Sequence, residues 1–228
     1  MTTALTLVAV PVATSVIVLA LARHTLLSSL LAIAGAIATL GAAVVALSGT
    51  TAGPEGAPFA EARAAGWDLT LGGIDLPLGL ALSTTSAFLT VVVSLVVAAV
   101  QAYSAWYLAD DDRRGVFHAT IALFAAAMIL VVLSADLLLT VVGWEVMGWC
   151  SYLLIGHWSR RPQPRRAAHA AFMVTRVADV GLLLGTAVLV AGAGTSARAE
   201  VIDHWTSAAA DPGTRSIALV LVVIGVLG

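Results

Sequence analysis

A carboxylate set deep in an apolar run is the residue of this chain best suited to chemistry. Glu145 lies within Gly143-Trp144-Glu145-Val146-Met147-Gly148-Trp149-Cys150-Ser151-Tyr152, eight residues beyond Leu137, where the run begins. On a helix that offset is about 12 Å, near the middle of a bilayer if the helix crosses one. An ionised side chain there costs at least about 2.5 to 3.5 kcal/mol and belongs against a bundle interior or a hydrated cavity, not against lipid. Desolvation favours a protonated carboxyl and a nearby cation favours an ionised one, so a carboxylate in such a place is suited to exchanging protons. A blander reading makes Glu145 a protonated bridge that only holds neighbouring helices together. Gly143, Gly148 and Ser151 permit close helix approach under either reading, and the flanking tryptophans favour neither.

A second polar group follows on the next apolar stretch. His169, Arg176 and Asp179 are separated by seven and three residues, which places all three on one helix face with Phe172 between them. Either Arg176 and Asp179 form an ion pair that satisfies itself while His169 snorkels towards the basic loop, or the stripe faces Glu145 and biases its proton affinity. Asp136, just ahead of Leu137, fits a helix N-cap. His118, near the start of the fourth helix, is either a proton relay or a solvated interfacial side chain. Asp110-Asp111-Asp112 runs directly into Arg113-Arg114 and fits a solvated loop. Cys150 fits a small buried packing residue. No Walker A motif, dinucleotide glycine fingerprint, haem-ligand pair or cysteine cluster is present in the sequence, so neither a cofactor nor a metal is expected and the chain carries no visible redox centre.

The elements that position these residues follow from composition. Of the 228 residues 60% are hydrophobic and 11% charged, too few charges to cover a soluble domain, for which about 25% is usual. A net charge of -2 gives no footprint for nucleic acid. Apolar runs of membrane-crossing length predict helices near 3–22, 26–48, 78–102, 115–134, 137–158 and 167–193, and a seventh beginning near Ile217 that has run only part of a crossing at Gly228. The fold class is therefore all-α: a polytopic transmembrane bundle of six complete helices and the start of a seventh, in a lipid bilayer. Residues 1–48 hold the first two helices, 49–77 form an extramembrane loop or hairpin, and 78–228 form the transmembrane core. The segment 49–77 contains Glu55, Glu61, Asp68 and Asp75, with Gly72-Gly73 as a turn between two short strands. The first apolar stretch lacks a basic leader and a cleavage site and is read as a retained helix. There is no lysine. Arg23, Arg113, Arg114, Arg160, Arg161, Arg165 and Arg166 fall on one side of the membrane and Arg63, Arg198 and Arg215 on the other, which favours an N-terminus outside.

These residues also carry a family resemblance. Tyr103-Ser104-x-x-Tyr107, Leu133-Ser134-Ala135-Asp136-Leu137-Leu138, Gly143-Trp144-Glu145-x-x-Gly148-x-x-Ser151-Tyr152-Leu153-Leu154-Ile155-Gly156-His157-Trp158 and Ala171-Phe172-x-x-Thr175-Arg176-Val177-x-Asp179 resemble the largest antiporter-like membrane subunit of bacterial respiratory complex I. The resemblance covers roughly residues 75 to 185. The same superfamily includes the large subunit of multisubunit cation/proton antiporters and the membrane subunit of inorganic-carbon uptake complexes. The resemblance implies that Glu145 is the functional mid-membrane glutamate of the fifth helix and that Arg176 and Asp179 are the charged pair of the sixth. In that family the glutamate pairs with a lysine on the seventh helix, which this sequence does not contain. Where the family has lysine before Ala171-Phe172, this chain has Ala170 preceded by His169, and Ala178 stands where glycine is usual.

The expectation is a proton-translocating subunit of a complex I-like NADH:quinone oxidoreductase in a bacterial plasma membrane, working with other membrane subunits and with protons as the transported species. Any enzymatic activity belongs to that whole translocase. Glu145 is the expected proton-exchanging group, with Arg176 and Asp179 biasing it and His169 or His118 as entry groups. Two alternatives stand beside it: a subunit of a cation/proton antiporter or inorganic-carbon uptake complex, and a truncated, non-conducting membrane scaffold whose charges are structural.

Overall fold

A computed structural model describes residues 2–51, 62–208 and 210–227. Glu55 and Glu61 of the expected loop lie outside them. The chain forms two compact units, Met1–Ala65 with Ala81–Leu133, and Gly66–Leu80 with Ser134–Gly228. These units cut across the three segments expected from the sequence.

The first unit holds α1 (Thr2–Ala20), α2 (Thr25–Thr51), α3 (Thr84–Tyr107) and α4 (Arg114–Leu133). All four are long and apolar enough to cross a membrane. Their buried faces are built from small residues, among them Ala32, Ala43, Ala87, Thr90, Ser94, Ala119, Ala122 and Ala126. Small side chains let helix backbones approach, which is the main source of packing energy where lipid competes with apolar contacts. Ser15 Oγ donates to the Ala119 carbonyl across 2.8 Å, and a Cβ on Gly115 would stand 2.7 Å from the backbone of Ala22. The start of α3 is fixed by a capping box between Ser83 and Ser86.

The second unit holds α5 (Leu137–Ile155), α6 (Pro162–Ala193), α7 (Arg198–Thr206) and α8 (Pro212–Leu227). Of these α5 and α6 have membrane-crossing length, and α8 is a shorter apolar helix. Most of the strand pair β1 (Ala62–Leu71) and β2 (Ile74–Leu82) belongs to it as well. Gly72 and Gly73 turn this hairpin at φ +60° and +84°, the double left-handed conformation of a two-residue turn that favours Gly-Gly. The hairpin runs five residues past its expected end at Pro77. The third helix accordingly starts at Thr84 and not near residue 78: the apolar run Ile74–Leu82 is a strand, and a run so short suits either structure.

Two further departures concern helix ends. The sixth helix begins at Pro162, with proline in its first turn, where the missing N–H is not needed. The short α7 was not expected. Its Trp205 packs with Val201 and Ala210 against Leu137, Leu189 and Ala193 and donates its indole N–H to the Leu189 carbonyl at 2.9 Å. Between α6 and α8 the backbones nearly touch. A Cβ on Gly181 would meet the Leu221 carbonyl at 2.8 Å, and one on Gly185 the Ala218 carbonyl at 2.8 Å.

Candidate functional site

The start of α5 is fixed before any functional residue is reached. Asp136 is fully buried. One of its carboxylate oxygens accepts from Leu139 N–H at 2.8 Å, the N-cap bond expected from the sequence, and the other accepts from Gly79 N–H at 2.9 Å. The Ala135 amide donates to the Gly79 carbonyl at 2.8 Å, and Leu137 N–H to the Ser196 carbonyl at 2.9 Å. Strand β2 and the α5 cap are thus joined at one buried carboxylate, and the segment before α7 is joined to them by the Leu137 amide, which together set the axial position of everything on α5.

Two turns into α5, Glu145 meets the charged stripe of α6. Arg176 Nη1 donates to Glu145 Oε2 in a close ion pair. The other guanidinium nitrogen, Nη2, stands 2.6 Å from Asp179 Oδ2, one turn further along α6. One cation therefore sits between two carboxylates. Asp179 is almost fully buried, its side chain only 5% exposed, whereas Arg176 and Glu145 keep 26% and 31% of theirs open. Glu145 Oε1 and Arg176 Nε are buried and have no hydrogen-bond partner among the described residues. Gly148, one turn beyond Glu145, makes the room: a Cβ there would stand 2.5 Å from Arg176 Nη2.

Trp144 completes the group, and its part was not legible from the sequence. Its indole Nε1–H donates to Asp179 Oδ1 at 2.8 Å. The only signal available was its place beside Glu145. The structure thus brings Glu145, Arg176 and Asp179 together and leaves His169 apart. His169 is exposed two turns earlier on α6, its ring 5.7 Å from that of Tyr152. Tyr152 in turn lies 5.0 Å from Phe172, and the Arg176 guanidinium lies over Phe172 at 5.2 Å. An aromatic ladder therefore runs from His169 to Arg176 on the α5–α6 face.

The remaining candidates are accounted for separately. His118 is not a solvated side chain: it is fully buried in the first unit, with Nδ1 2.5 Å from Gln101 Oε1, and Gln101 Nε2 donates to the His118 carbonyl at 3.0 Å. The solvated alternative fails because Arg114 is itself turned inward, donating to the Thr25 and Ala109 carbonyls at 2.9 and 3.0 Å, which buries the first turn of α4. Asp111 accepts from the Arg113 amide at 2.7 Å, a local turn between helices. Cys150 is a buried free thiol.

Comparison with known proteins then places the chain. Residues 134–228 match the family model described as NADH:quinone oxidoreductase/Mrp antiporter, TM, and residues 67–118 match that of NADH-Ubiquinone oxidoreductase (complex I), chain 5 N-terminus. NADH-quinone oxidoreductase subunit L of Mycobacterium tuberculosis is 34% identical over 196 residues, 86% of this chain and 31% of that protein. NAD(P)H-quinone oxidoreductase chain 5 of Synechocystis is 40% identical over 114 residues, 50% of this chain and 17% of that one. The chain thus spans less than a third of the length of these curated relatives. Among solved structures, the Mrp complex of a Dietzia species superposes with a TM-score of 0.76 at 26% identity, over 98% of this chain and 23% of that one. The archaeal membrane-bound sulfane sulfur reductase shares the fold, with a TM-score of 0.81 at 16% identity over 97% of this chain and 43% of that one. The protein is an integral, multi-pass membrane protein, and it belongs to the family of antiporter-like membrane subunits found in NADH:quinone oxidoreductases and Mrp antiporters.

Proposed function

We propose that this chain is a proton-translocating membrane subunit of a complex I-like NADH:quinone oxidoreductase, and that Glu145 is its proton-exchanging group. The observation that carries the reading is the charge count inside the α5–α6 pair: two carboxylates, Glu145 and Asp179, share the single guanidinium of Arg176. A membrane interior disfavours net charge, and one proton makes this trio neutral. Asp179 is the more deeply buried and has Trp144 on its second oxygen. Glu145 is the more open, and its Oε1 accepts no hydrogen bond among the described residues. The proton therefore comes and goes at Glu145. When Arg176 leans towards Asp179, Glu145 loses its counter-ion and takes up a proton; when Arg176 returns, that proton is released.

His169, exposed near the start of α6 and next to the arginine-rich α5–α6 connection, is the entry group on that side. Seven arginines against three favour an N-terminus outside in a bacterial plasma membrane, with the β1–β2 hairpin outside the bilayer. The open flank of Glu145 and Arg176 would be penalised by lipid, which supports cover by further membrane subunits. In the native assembly, Glu145→Gln is expected to lower proton translocation at least about 100-fold while the assembly still forms; unchanged translocation would refute the role.

A second reading, coupling to a transported cation and not to quinone reduction, is favoured by the likeness to the Mrp complex. Mass spectrometry of what co-purifies in mild detergent separates the two. Redox subunits support the first reading, and antiporter subunits without them support the second.

A further inference from the structure

We propose that Trp144 is a positioning residue whose indole N–H holds the Asp179 carboxylate in place, so that Arg176 is shared between Asp179 and Glu145. The inference rests on the proton-exchange reading of Glu145 and adds to it the element that keeps the competing carboxylate fixed.

The geometry supports this in three steps. Asp179 has two oxygens with two different partners: Oδ2 faces Arg176 Nη2 at 2.6 Å, and Oδ1 accepts from Trp144 Nε1–H at 2.8 Å. With one oxygen held by the neighbouring helix, the carboxylate cannot rotate its other oxygen away from the guanidinium without breaking a charge-assisted bond. The indole N–H is a donor only and does not titrate. It can therefore anchor a carboxylate without offering the proton another place to go, which a histidine or a carboxyl at this position would do. Finally, Trp144 and Glu145 are consecutive on α5, so one turn of that helix supplies both the group that exchanges protons and the donor that steadies its competitor. Any shift of α5 against α6 acts on both carboxylates at once.

Among the described residues, no titratable group other than Arg176 faces Asp179. On α6 the charged neighbour is Arg176. On α5 the facing polar groups are Trp144 itself and, through Arg176, Glu145. The α8 surface packed on Gly181 and Gly185 is Ala218, Leu221, Val222 and Gly225, and the charged side chain of that helix, Arg215, donates to the Trp205 carbonyl at 3.2 Å. The short α7, with Arg198, Glu200, Asp203 and His204, meets α6 at Leu189, Gly192 and Ala193, more than two turns beyond Asp179.

The test removes the N–H and keeps the ring. In the full-length chain within its native assembly, Trp144 is replaced by 3-benzothienylalanine, in which sulfur stands for the N–H, and in parallel by phenylalanine. Indole resonance Raman spectra of the wild type and of Asp179→Asn report on the bond directly. The expected result is a strongly hydrogen-bonded indole component that weakens in Asp179→Asn. Translocation is expected to fall about 10-fold in the isostere, the size of effect that goes with one hydrogen bond to a charged group, with assembly unchanged. Wild-type translocation in the isostere together with an unshifted indole component in Asp179→Asn would overturn the positioning role, even where Glu145→Gln is inactive. An active Glu145→Gln with the Raman shift intact would instead overturn the proton-exchange reading and leave the bond standing. The phenylalanine variant is expected to match the isostere; agreement between the two excludes ring volume as the cause.

Discussion

The α3–α4 and α5–α6 pairs are both built from membrane-length helices, and both bury polar side chains between them, yet they do so in opposite ways. On the first, Gln101 and His118 are fully buried and answer each other: amide to backbone carbonyl, imidazole to amide oxygen. Two hydrogen bonds join the two residues, and His118 Nε2 is left buried with no hydrogen-bond partner among the described residues. On the second, three charged side chains meet in a ratio that cannot close, two carboxylates to one guanidinium, with Glu145 and Arg176 partly open. A pair of polar side chains tied to each other in this way, with no carboxylate or guanidinium in it, stabilises one packing of its helices. An odd charge in a low-dielectric setting is costly, and one proton would relieve it. On the proposed reading of Glu145, the difference is one between structural and functional polarity within one chain.

The largest test of that contrast is removal of the shared cation. Arg176→Met leaves Glu145 and Asp179 facing each other with no counter-ion. Breaking a buried pair in this way costs about 3 to 5 kcal/mol, and the partial exposure of Arg176 sets the expectation at the lower end. Thermal unfolding in detergent is expected to show the loss, and translocation to vanish. Adding Asp179→Asn is expected to restore much of the stability and none of the translocation. Full recovery of translocation in the double variant, which keeps the one unpaired negative charge, would mean that the sharing of Arg176 between two carboxylates has no function.

Next in size is Asp136→Ala, which strips the part-buried Leu139 amide and the buried Gly79 amide of their acceptor. The expected cost is about 2 to 3 kcal/mol. Because this cap sets where α5 begins, translocation should fall along with stability. Gln101→Leu should cost less, about 1 to 2 kcal/mol for an imidazole N–H left without its acceptor, and should leave translocation per assembled protein unchanged. A loss of translocation in Gln101→Leu comparable to that in Glu145→Gln would erase the distinction between the two helix pairs.

Much of this contrast could be read from residue order, and the rest could not, for definite physical reasons. Six membrane helices follow from run length because the bilayer sets that length, and Gly72-Gly73 marks the hairpin because few other residues take its turn. The face shared by Arg176 and Asp179 follows from helical period. What period cannot supply is the rotation of α5 against α6, so the Trp144 bond to Asp179 and the room made by Gly148 stayed hidden. The solvated alternative for His118 fails for a related reason: a lone histidine near a helix start suggests water, but Arg114 points inward to backbone carbonyls. The short α7 is too polar to register by hydropathy and is held by Trp205, a tertiary contact.

The smallest expected effect lies outside the apolar helices, where charge meets water. Asp211 precedes Pro212 at the start of α8 and accepts from the Thr214 amide at 2.7 Å. That bond holds its carboxyl below the ordinary aspartate range. A folded-state value lowered in this way contributes stability above the unfolded value and loses it as pH falls through the folded one. The first turn of α8 is therefore expected to fray in acid below the usual aspartate range, read as lost Thr214 amide protection once the intrinsic exchange rate is corrected for. Asp211→Asn keeps an oxygen acceptor for the cap but has no proton to gain, so its protection should stay flat across that range. Because the group is fully exposed, global stability and translocation should not move with it. If Asp211→Asn altered translocation, charge at a solvated helix end would matter to a process that the odd charge between α5 and α6 is proposed to govern.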